Sequence, residues 1–325
     1  MRVHTRDDPR RTAAVLAGLR RYQEAERVPL PAPAPIIAAR HGAVLRDFGG
    51  SGPDLLFVPS LINPPRVLDL GSRSLLRWIA ARERRVLLVD WGEPDPANPR
   101  SVSACVEDLL MPLIASLSAP PDVAGYCLGG TMALAAAHAG AARSLALIAA
   151  PWHFDAFAGA ERERLAALWR QARPVAQRLG VLPTEVLQSA FWTLDPARTV
   201  TKYEQLATAD DAGLARFVEL EDWANDGAPL SFAAARELFE DFFAADLPGT
   251  GTWSMGGAAI NPAALPCPVL NVTSTSDRIV PAASAARVGE PLALDLGHVG
   301  MVVGSRAEAE LWRPLAGWLS RVSPS

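Results

Sequence analysis

Apolar residues occur along the chain in short runs, and longer stretches with helical spacing separate these runs. The strand-length runs are DLLFVPS, RRVLLVD, PDVAGYC, SLALIAA, PCPVLNVTST and PLALDLG. Because each run is almost continuously apolar, the pattern indicates strands buried on both faces. Strands of this kind that alternate with helices predict an α/β fold, in which helices cover both faces of a mostly parallel sheet.

The alternation stops between about Trp152 and Thr252, where helical patterns rich in aromatic residues replace it. About a hundred residues between two strands, with no clear strand of their own, predict a helical cap inserted into the sheet domain. We therefore divide the chain into a core at residues 35–151 and 253–325, a cap at residues 152–252, and an N-terminal segment at residues 1–34. In the N-terminal segment the pattern predicts a polar helix followed by the proline-rich connector VPLPAPAP.

Charge and cysteine content limit the function classes. The 325 residues carry a formal net charge of −4, which gives no support for binding nucleic acid or an acidic membrane surface. No apolar run is long enough to span a bilayer, and the charged start of the chain lacks the apolar core of a secretory signal. The three cysteines are few and have no metal-ligand spacing, so we expect a cytoplasmic protein without a metal site.

One of these cysteines, Cys127, lies between Gly125 and Gly129, where an apolar strand changes into a helix. The sequence GYCLG matches the pattern glycine, any residue, nucleophile, any residue, glycine, which forms a sharp nucleophile elbow at the carboxyl end of a strand. Side chains at the two glycines would clash across such a turn. The position at a helix N-terminus also favours a thiolate. The alternative is an inert buried cysteine beside packing glycines.

A thiol nucleophile needs a base, and the base needs a carboxylate that orients it. In the order nucleophile, acid, histidine, Asp277 follows the strand after the cap and His298 follows the next strand. We therefore predict the triad Cys127, His298 and Asp277. Asp155 is the alternative acid, and Asp90 is expected to be structural. His153 lies at a strand end and is a further candidate for the pocket.

The oxyanion formed during acyl transfer needs two backbone N–H groups. The residue after the nucleophile, Leu128, supplies one of them. The second is expected from the loop FVPSLINPP, where Leu61 occupies the donor position and Ser60 and Ile62 are its neighbours.

Several segments resemble the polyhydroxyalkanoate synthases: FVPSLINPPRVLDL, LLVDWGEPD, GYCLGG, LNVTSTSDRIVP and GHVGMVVG. The resemblance extends from about Asp54 to the C-terminal helix and is greatest to the shorter synthases, which work with a second subunit. It implies an α/β-hydrolase fold in which Cys127 is acylated, His298 is the base and Asp277 is the acid. The family often has glutamine after the cysteine, where this chain has Leu128. The GYCLGG box is also similar to that of dienelactone hydrolase, which is smaller and lacks the cap.

The resemblance implies an acyltransferase that takes a 3-hydroxyacyl group from a coenzyme A thioester, with coenzyme A as part of the substrate and no other cofactor. A thiol that attacks a thioester forms another thioester, so the acyl group stays activated for transfer to a hydroxyl. Hydrolysis of an ester or thioester is the first alternative, and a non-catalytic granule-associated protein is the second. A homodimer or a complex with a second subunit is expected.

The aromatic residues of the cap suggest how the acyl chain is bound. Trp152, Phe154 and Phe157 directly follow a sheet strand, so we predict that they line the substrate pocket together with Ser60. The cap is expected to cover Cys127 and to limit its access.

Overall fold

The computed structural model describes residues 8–71, 73–82, 84–194 and 196–323, without the side chains of residues 190–194, 196 and 198. Its main sheet has eight strands in the order β1-β2-β4-β3-β5-β6-β7-β8. The strands are β1 (Ile36–Arg40), β2 (Ala43–Asp47), β3 (Asp54–Val58), β4 (Arg85–Asp90), β5 (Asp122–Tyr126), β6 (Ser144–Ile148), β7 (Val269–Ser274) and β8 (Glu290–Leu294).

Strands β3 to β8 pair in parallel, and within the described residues of this sheet β1 with β2 and β2 with β4 are the antiparallel pairs. The two faces of the sheet pack into separate apolar clusters, because successive side chains of a strand point to opposite faces. Leu56 and Val58 of β3 belong to one cluster, and Leu55 and Phe57 belong to the other. The predicted mostly parallel sheet with helices on both faces is thus confirmed, and its architecture is that of the α/β-hydrolases.

Eleven helices accompany the sheet in the described part of the chain. They are α1 (Pro9–Glu24), α2 (Leu75–Ala80), α3 (Val102–Cys105, Val106–Leu110 and Met111–Ala115), α4 (Leu128–His138), α5 (Gly159–Leu179), α6 (Thr184–Leu194), α7 (Pro196–Leu206), α8 (Asp211–Asn225), α9 (Phe232–Arg236 and Glu237–Ala244), α10 (Gly300–Val303) and α11 (Glu308–Trp312 and Arg313–Val322). Within the described part of the chain, no helix is both long and apolar enough to cross a membrane.

Short elements complete the fold. Single helical turns lie at Pro65–Leu68, Phe154–Ala156, Pro262–Ala264 and Ala282–Ser284, and two-residue strands pair Asp69–Leu70 with Arg73–Ser74, Val181–Leu182 with Leu230–Ser231, and Ser254–Met255 with Ala258–Ala259. The pattern at residues 66–82 predicts one long helix, and this is wrong in extent. Gly71 takes a positive φ of 51° between the first pair of short strands, so that only α2 is α-helical.

The helices α5 to α9 form the part of the cap that lies between β6 and β7. Two buried acidic side chains connect it to its surroundings. Asp246 accepts a hydrogen bond from the backbone N–H of Phe154 at 2.8 Å, which joins the two ends of the cap. Glu237 of α9 accepts from the backbone N–H of Ser103 in α3 and from the indole N–H of Trp253, both at 3.0 Å. These bonds hold the cap against the sheet domain.

The N-terminal helix α1 packs on the cap instead of on the sheet. Val15 of α1 is buried with Val200, Tyr203 and Leu206 of α7. Arg21 donates hydrogen bonds to three backbone carbonyls at the end of α7, so this helix is held by polar contacts as well as apolar ones.

Candidate active site

Cys127 lies at the carboxyl end of β5, where the strand changes directly into α4. Its backbone has φ 56° and ψ −133°, a strained conformation for a residue with a side chain. Its N–H donates to the carbonyl of Ile148 at 3.0 Å, and its carbonyl accepts from Gly130 at 2.8 Å. Cys127 as a whole residue is partly exposed. This is the geometry of a nucleophile elbow, which projects the sulfur from the tip of the turn.

Three glycines around the elbow allow the strand, the helix and a neighbouring loop to approach closely. A Cβ on Gly129 would overlap the carbonyl oxygens of Val58 and Pro59, and a Cβ on Gly125 would overlap Gly130. A Cβ on Gly130 would overlap the side chain of Ala150. The first two glycines are those of the elbow pattern. The sequence analysis missed Gly130, although its place beside Gly129 in the box was a signal for it.

Asp277 and His298, which were predicted as acid and base, lie together at the carboxyl ends of β7 and β8. The imidazole Nδ1 is 2.6 Å from Asp277 Oδ2, and both side chains are buried. The other carboxylate oxygen accepts backbone hydrogen bonds from Ile279 and Val280, at 2.8 and 2.9 Å. Asp277 is therefore fixed on both sides, and it orients the imidazole with Nε2 free for another partner.

The electrostatics connect His298 to the thiol. Burial lowers the pKa of His298, but the negative charge of Cys127, the hydrogen bonds that the imidazolium donates to Asp277 and Cys127, and the charge of Asp277 outweigh this effect. Together they raise the pKa of His298 to about 10. A protonated imidazole beside a thiolate is the state of a cysteine that is ready for nucleophilic attack.

We expect NMR titration of the imidazole to give His298 a pKa near 10 instead of 6.5. In Cys127→Ala this pKa should fall, because the charge and the hydrogen bond that raise it are gone. Because the pKa of His298 is higher in the folded than in the unfolded protein, its protonated form adds to the free energy of unfolding. This contribution is complete below about pH 6.5 and is lost as the pH rises to about 10. Titration near pH 6.5 in the unaltered protein would contradict the ion pair.

Tyr126, just before the nucleophile, is a positioning residue that the sequence analysis missed. Its ring stacks on the His298 imidazole with centroids 5.0 Å apart and an angle of 25° between the planes. Its hydroxyl donates to the backbone carbonyl of His298 at 3.2 Å. The tyrosine thus contacts the face of the imidazole, while the carboxylate of Asp277 bonds Nδ1 at its edge. Its place within the GYC box was the only signal for it.

The two predicted oxyanion donors lie in the helix that follows Cys127 and in the loop that follows β3. Leu128 is the first residue of α4, so its N–H points out of the helix N-terminus. Leu61 lies in the loop after β3, residues 59–64, which we call the oxyanion loop. The N–H of the next residue, Ile62, already donates to Ser60 Oγ at 3.0 Å. Leu61 is therefore a better oxyanion donor than Ile62. Among the described residues, neither Leu61 nor Leu128 has a backbone acceptor for its N–H.

The predicted pocket residues are all buried. Phe154 is 5.8 Å from Phe157 and 5.2 Å from Phe242 between ring centroids, and Trp152 is 5.8 Å from Trp253. These three residues form an aromatic core between cap and sheet, and Ser60 bonds within the oxyanion loop. Their contact with an acyl chain stays a prediction.

A separate cavity of about 60 Å³ opens beside Leu61. Trp91 and Arg100 line it from the sheet domain, and Leu230 and Ser231 line it from the cap. A space between cap and sheet domain that reaches the oxyanion loop is a second place where part of a substrate could bind. The cavity was not predicted from the sequence, because its walls come from four segments that are distant along the chain.

The remaining candidates lie away from the imidazole. Asp155, the alternative acid, is exposed and lies near His153 and Asp246, with potential ligand atoms within 4.8 Å of one another. Asp90 forms an ion pair with Arg46 at 2.7 Å, which is a structural role. Asp277 is therefore the carboxylate that contacts His298.

Comparison with curated proteins shows similarity to one group. The chain is 26% identical to the poly(3-hydroxyalkanoate) polymerase subunit PhaC of Haloferax mediterranei over 294 residues, which cover 83% of this chain and 59% of that protein. It is 27% identical to the protein of the same name from Haloarcula marismortui, covering 83% of this chain and 61% of that one. For Thiocystis violacea PhaC the identity is 27%, with 83% and 81% covered. The chain thus spans about three fifths of the haloarchaeal relatives, and no family model matches it.

Solved structures with low sequence identity share the fold. BpoC of Mycobacterium tuberculosis H37Rv superposes with a TM-score of 0.56 at 17% identity, covering 89% of this chain and 98% of that one. The monoacylglycerol lipase of Paleococcus ferrophilus gives a TM-score of 0.53 at 15% identity, with 86% and 99% covered. These similarities show the α/β-hydrolase architecture.

Proposed function

We propose that this chain, a polyhydroxyalkanoate synthase-like member of the α/β-hydrolases, is a cysteine-dependent acyltransferase. It takes a 3-hydroxyacyl group from a coenzyme A thioester and passes it to a hydroxyl group. The observation that carries the proposal is the strained elbow residue Cys127, next to an imidazole whose pKa the thiolate and Asp277 raise to about 10.

In the first half of the reaction, the Cys127 thiolate attacks the carbonyl carbon of the thioester. The negative charge that develops on the carbonyl oxygen is stabilised by the N–H groups of Leu61 and Leu128. When the tetrahedral intermediate collapses, the bond to the sulfur of coenzyme A breaks. His298 gives its Nε2 proton to this leaving thiolate, so an acyl-cysteine, neutral histidine and free coenzyme A result.

In the second half, neutral His298 takes the proton from the acceptor hydroxyl as its oxygen attacks the acyl-cysteine. The Cys127 thiolate leaves, and the ion pair with the imidazolium is restored. Asp277 keeps the proton on Nδ1 throughout, so that Nε2 always faces the reacting atoms. The acyl group stays a thioester until the hydroxyl arrives, which is the advantage of a thiol over a serine hydroxyl.

Hydrolysis of the acyl-cysteine by water is the second candidate function. The partial exposure of Cys127 favours it, because water that reaches the thiol can compete with an alcohol. A non-catalytic role has less support, because backbone strain at the elbow is a cost that a binding protein has no use for.

The surroundings of the reaction are also part of the proposal. The substrate is an acyl-CoA, with no other cofactor, and the chain works as a homodimer or with a second subunit. All three cysteines are free, which supports a cytoplasmic location.

Incubation with 3-hydroxybutyryl-CoA tests this function. We expect release of coenzyme A, a 3-hydroxybutyryl adduct on Cys127 by mass spectrometry, and esters longer than one unit among the products. Free 3-hydroxybutyrate in an amount equal to the released coenzyme A would instead identify a hydrolase. If Cys127 is readily alkylated but the protein forms no adduct and releases no coenzyme A, the use of this thioester is overturned.

A further inference from the structure

The last turn of α8 contacts the oxyanion loop. The indole N–H of Trp223 donates to the carbonyl of Pro64 at 2.8 Å, and the Asn63 amide donates to the carbonyl of Ala224 at 3.3 Å. Asn63 has a positive φ of 63°, which is a left-handed backbone conformation. Its side-chain hydrogen bond to Ala224 therefore holds the loop at this turn. The cap therefore fixes the end of the loop that carries Leu61.

The start of the same loop is fixed by the sheet domain. The indole N–H of Trp91, after β4, donates to the carbonyl of Pro59 at 3.0 Å. Leu61 thus lies between two carbonyls that are each held by a tryptophan, one from the sheet domain and one from the cap. If the loop end that is bonded to the cap moved, the Leu61 N–H would turn relative to the Leu128 N–H, which is fixed on α4.

The residue before Trp223 is held by the N-terminal segment. The hydroxyl of Tyr22 donates to Asp222 Oδ1 at 2.6 Å, and Arg27 Nε donates to Asp222 Oδ2 at 3.1 Å. The Arg27 guanidinium lies over the Tyr22 ring, 4.8 Å from its centroid. It also bonds the carbonyls at the end of α1, so that the two donors are held together. Asp222 and Trp223 are adjacent, so one helical turn connects the N-terminal segment to the oxyanion loop.

We propose that Trp223 is a positioning residue for the oxyanion donor Leu61, and that Tyr22 and Arg27 act on the same loop through Asp222. The inference rests on the proposed acyl transfer for its catalytic consequence, since only a reaction with an oxyanion needs this N–H. It gives the N-terminal helix a role in the reaction, although that helix packs on the cap.

Two reactions of the same thiol separate this role from a general effect on the site. Acylation by p-nitrophenyl butyrate forms an oxyanion, whereas alkylation by iodoacetamide displaces iodide at a saturated carbon and forms none. In Trp223→Phe we expect kcat for the ester to fall about 10- to 100-fold, with KM little changed. Complete loss of one oxyanion donor costs about 100- to 1000-fold in kcat, and this variant displaces the Leu61 N–H without removing it. The alkylation rate of Cys127 should stay within about twofold, since the oxyanion loop has no part in it.

The double variant Tyr22→Phe with Arg27→Gln should show the same split with a smaller loss, about 3- to 10-fold in kcat, because the loop keeps its bond to Trp223. Trp169→Phe is the matched control, since its buried indole bonds Glu240 inside the cap at 2.8 Å. Arg11→Gln is the control for α1, because its ion pair goes to Glu204 of α7 at 2.9 Å. Neither control should alter kcat.

Hydrogen exchange gives a readout that does not depend on activity. Amides of residues 59–64 should exchange faster in Trp223→Phe and in the double variant, and at the normal rate in both controls. Unchanged exchange there, or equal losses in acylation and alkylation, would overturn the inference. If the unaltered protein neither releases p-nitrophenolate nor forms the acyl adduct from 3-hydroxybutyryl-CoA, the proposed function fails, and the exchange result alone decides whether the cap positions the loop.

Discussion

Cys127→Ala should abolish acyl transfer, with coenzyme A release at least about 10⁴-fold slower than in the unaltered protein. Loss of a nucleophile in a comparable triad costs about 10⁶-fold, because the remaining groups can only assist the attack of water. Release of coenzyme A from 3-hydroxybutyryl-CoA, followed with a thiol reagent after the protein is removed, gives the rate. The acyl adduct should also be absent from the mass spectrum of the protein.

Three further variants accompany this one. Cys105→Ala and Cys267→Ala should keep the activity, since Cys105 is buried in α3 and Cys267 precedes β7. Cys127→Gly should melt at or above the temperature of the unaltered protein, because glycine adopts a φ of 56° without strain. Activity in Cys127→Ala, or equal loss in either of the other alanine variants, would refute the nucleophile assignment.

Asp277→Asn should lower kcat for acylation by about 10³- to 10⁴-fold, the cost of losing the orienting carboxylate in a comparable triad. The amide oxygen of the asparagine can still accept hydrogen bonds from Ile279 and Val280, so its NH₂ group faces Nδ1 of His298. Unlike the carboxylate oxygen that it replaces, this NH₂ group cannot accept a hydrogen bond from the Nδ1 proton. The imidazolium then loses a negative partner, and the pKa of His298 should fall in the same variant. Steady-state acylation and NMR titration measure the two effects.

Asp155→Asn is the matched control for this prediction. Asp155 was the alternative acid, but it is exposed and lies with His153 and Asp246 instead of with His298. Its variant should keep full activity. If it lost as much activity as Asp277→Asn, the role of the acid would have to be reassigned.

The core of the fold was predictable because its signals are local. Each of the six apolar runs overlaps one of the six parallel-paired strands β3 to β8. The strands β3 to β7 are buried along almost their whole length, and such strands must be apolar on both faces. For β8 the prediction of burial on both faces is wrong, because this strand lies at the edge of the sheet and is mostly exposed. The elbow was predictable for the same reason, because its glycines are within two residues of Cys127. Asp277 and His298 were identified from chain order and strand ends, and the structure places them 2.6 Å apart.

The unpredicted features depend on contacts between distant residues. The helix α1 was expected, but its place on the cap was not, because Tyr22 meets Asp222 across 200 residues. The cavity beside Leu61 has walls from distant segments. For the aromatic residues at the start of the cap, the sequence does not distinguish a ligand pocket from an apolar core, because both need the same residue types. The distances between the rings show that they pack against one another.

The position of α1 on the cap also affects how the chain folds during synthesis. The partner of Tyr22 is made 200 residues later, which takes about 10 to 40 s at about 5 to 20 residues per second. During this time Val15 of α1 has no apolar surface to cover it, because its partners in α7 have not left the ribosome. The amino-terminal helix is therefore among the last parts of the nascent protein to dock, and its apolar face stays open to solvent until then.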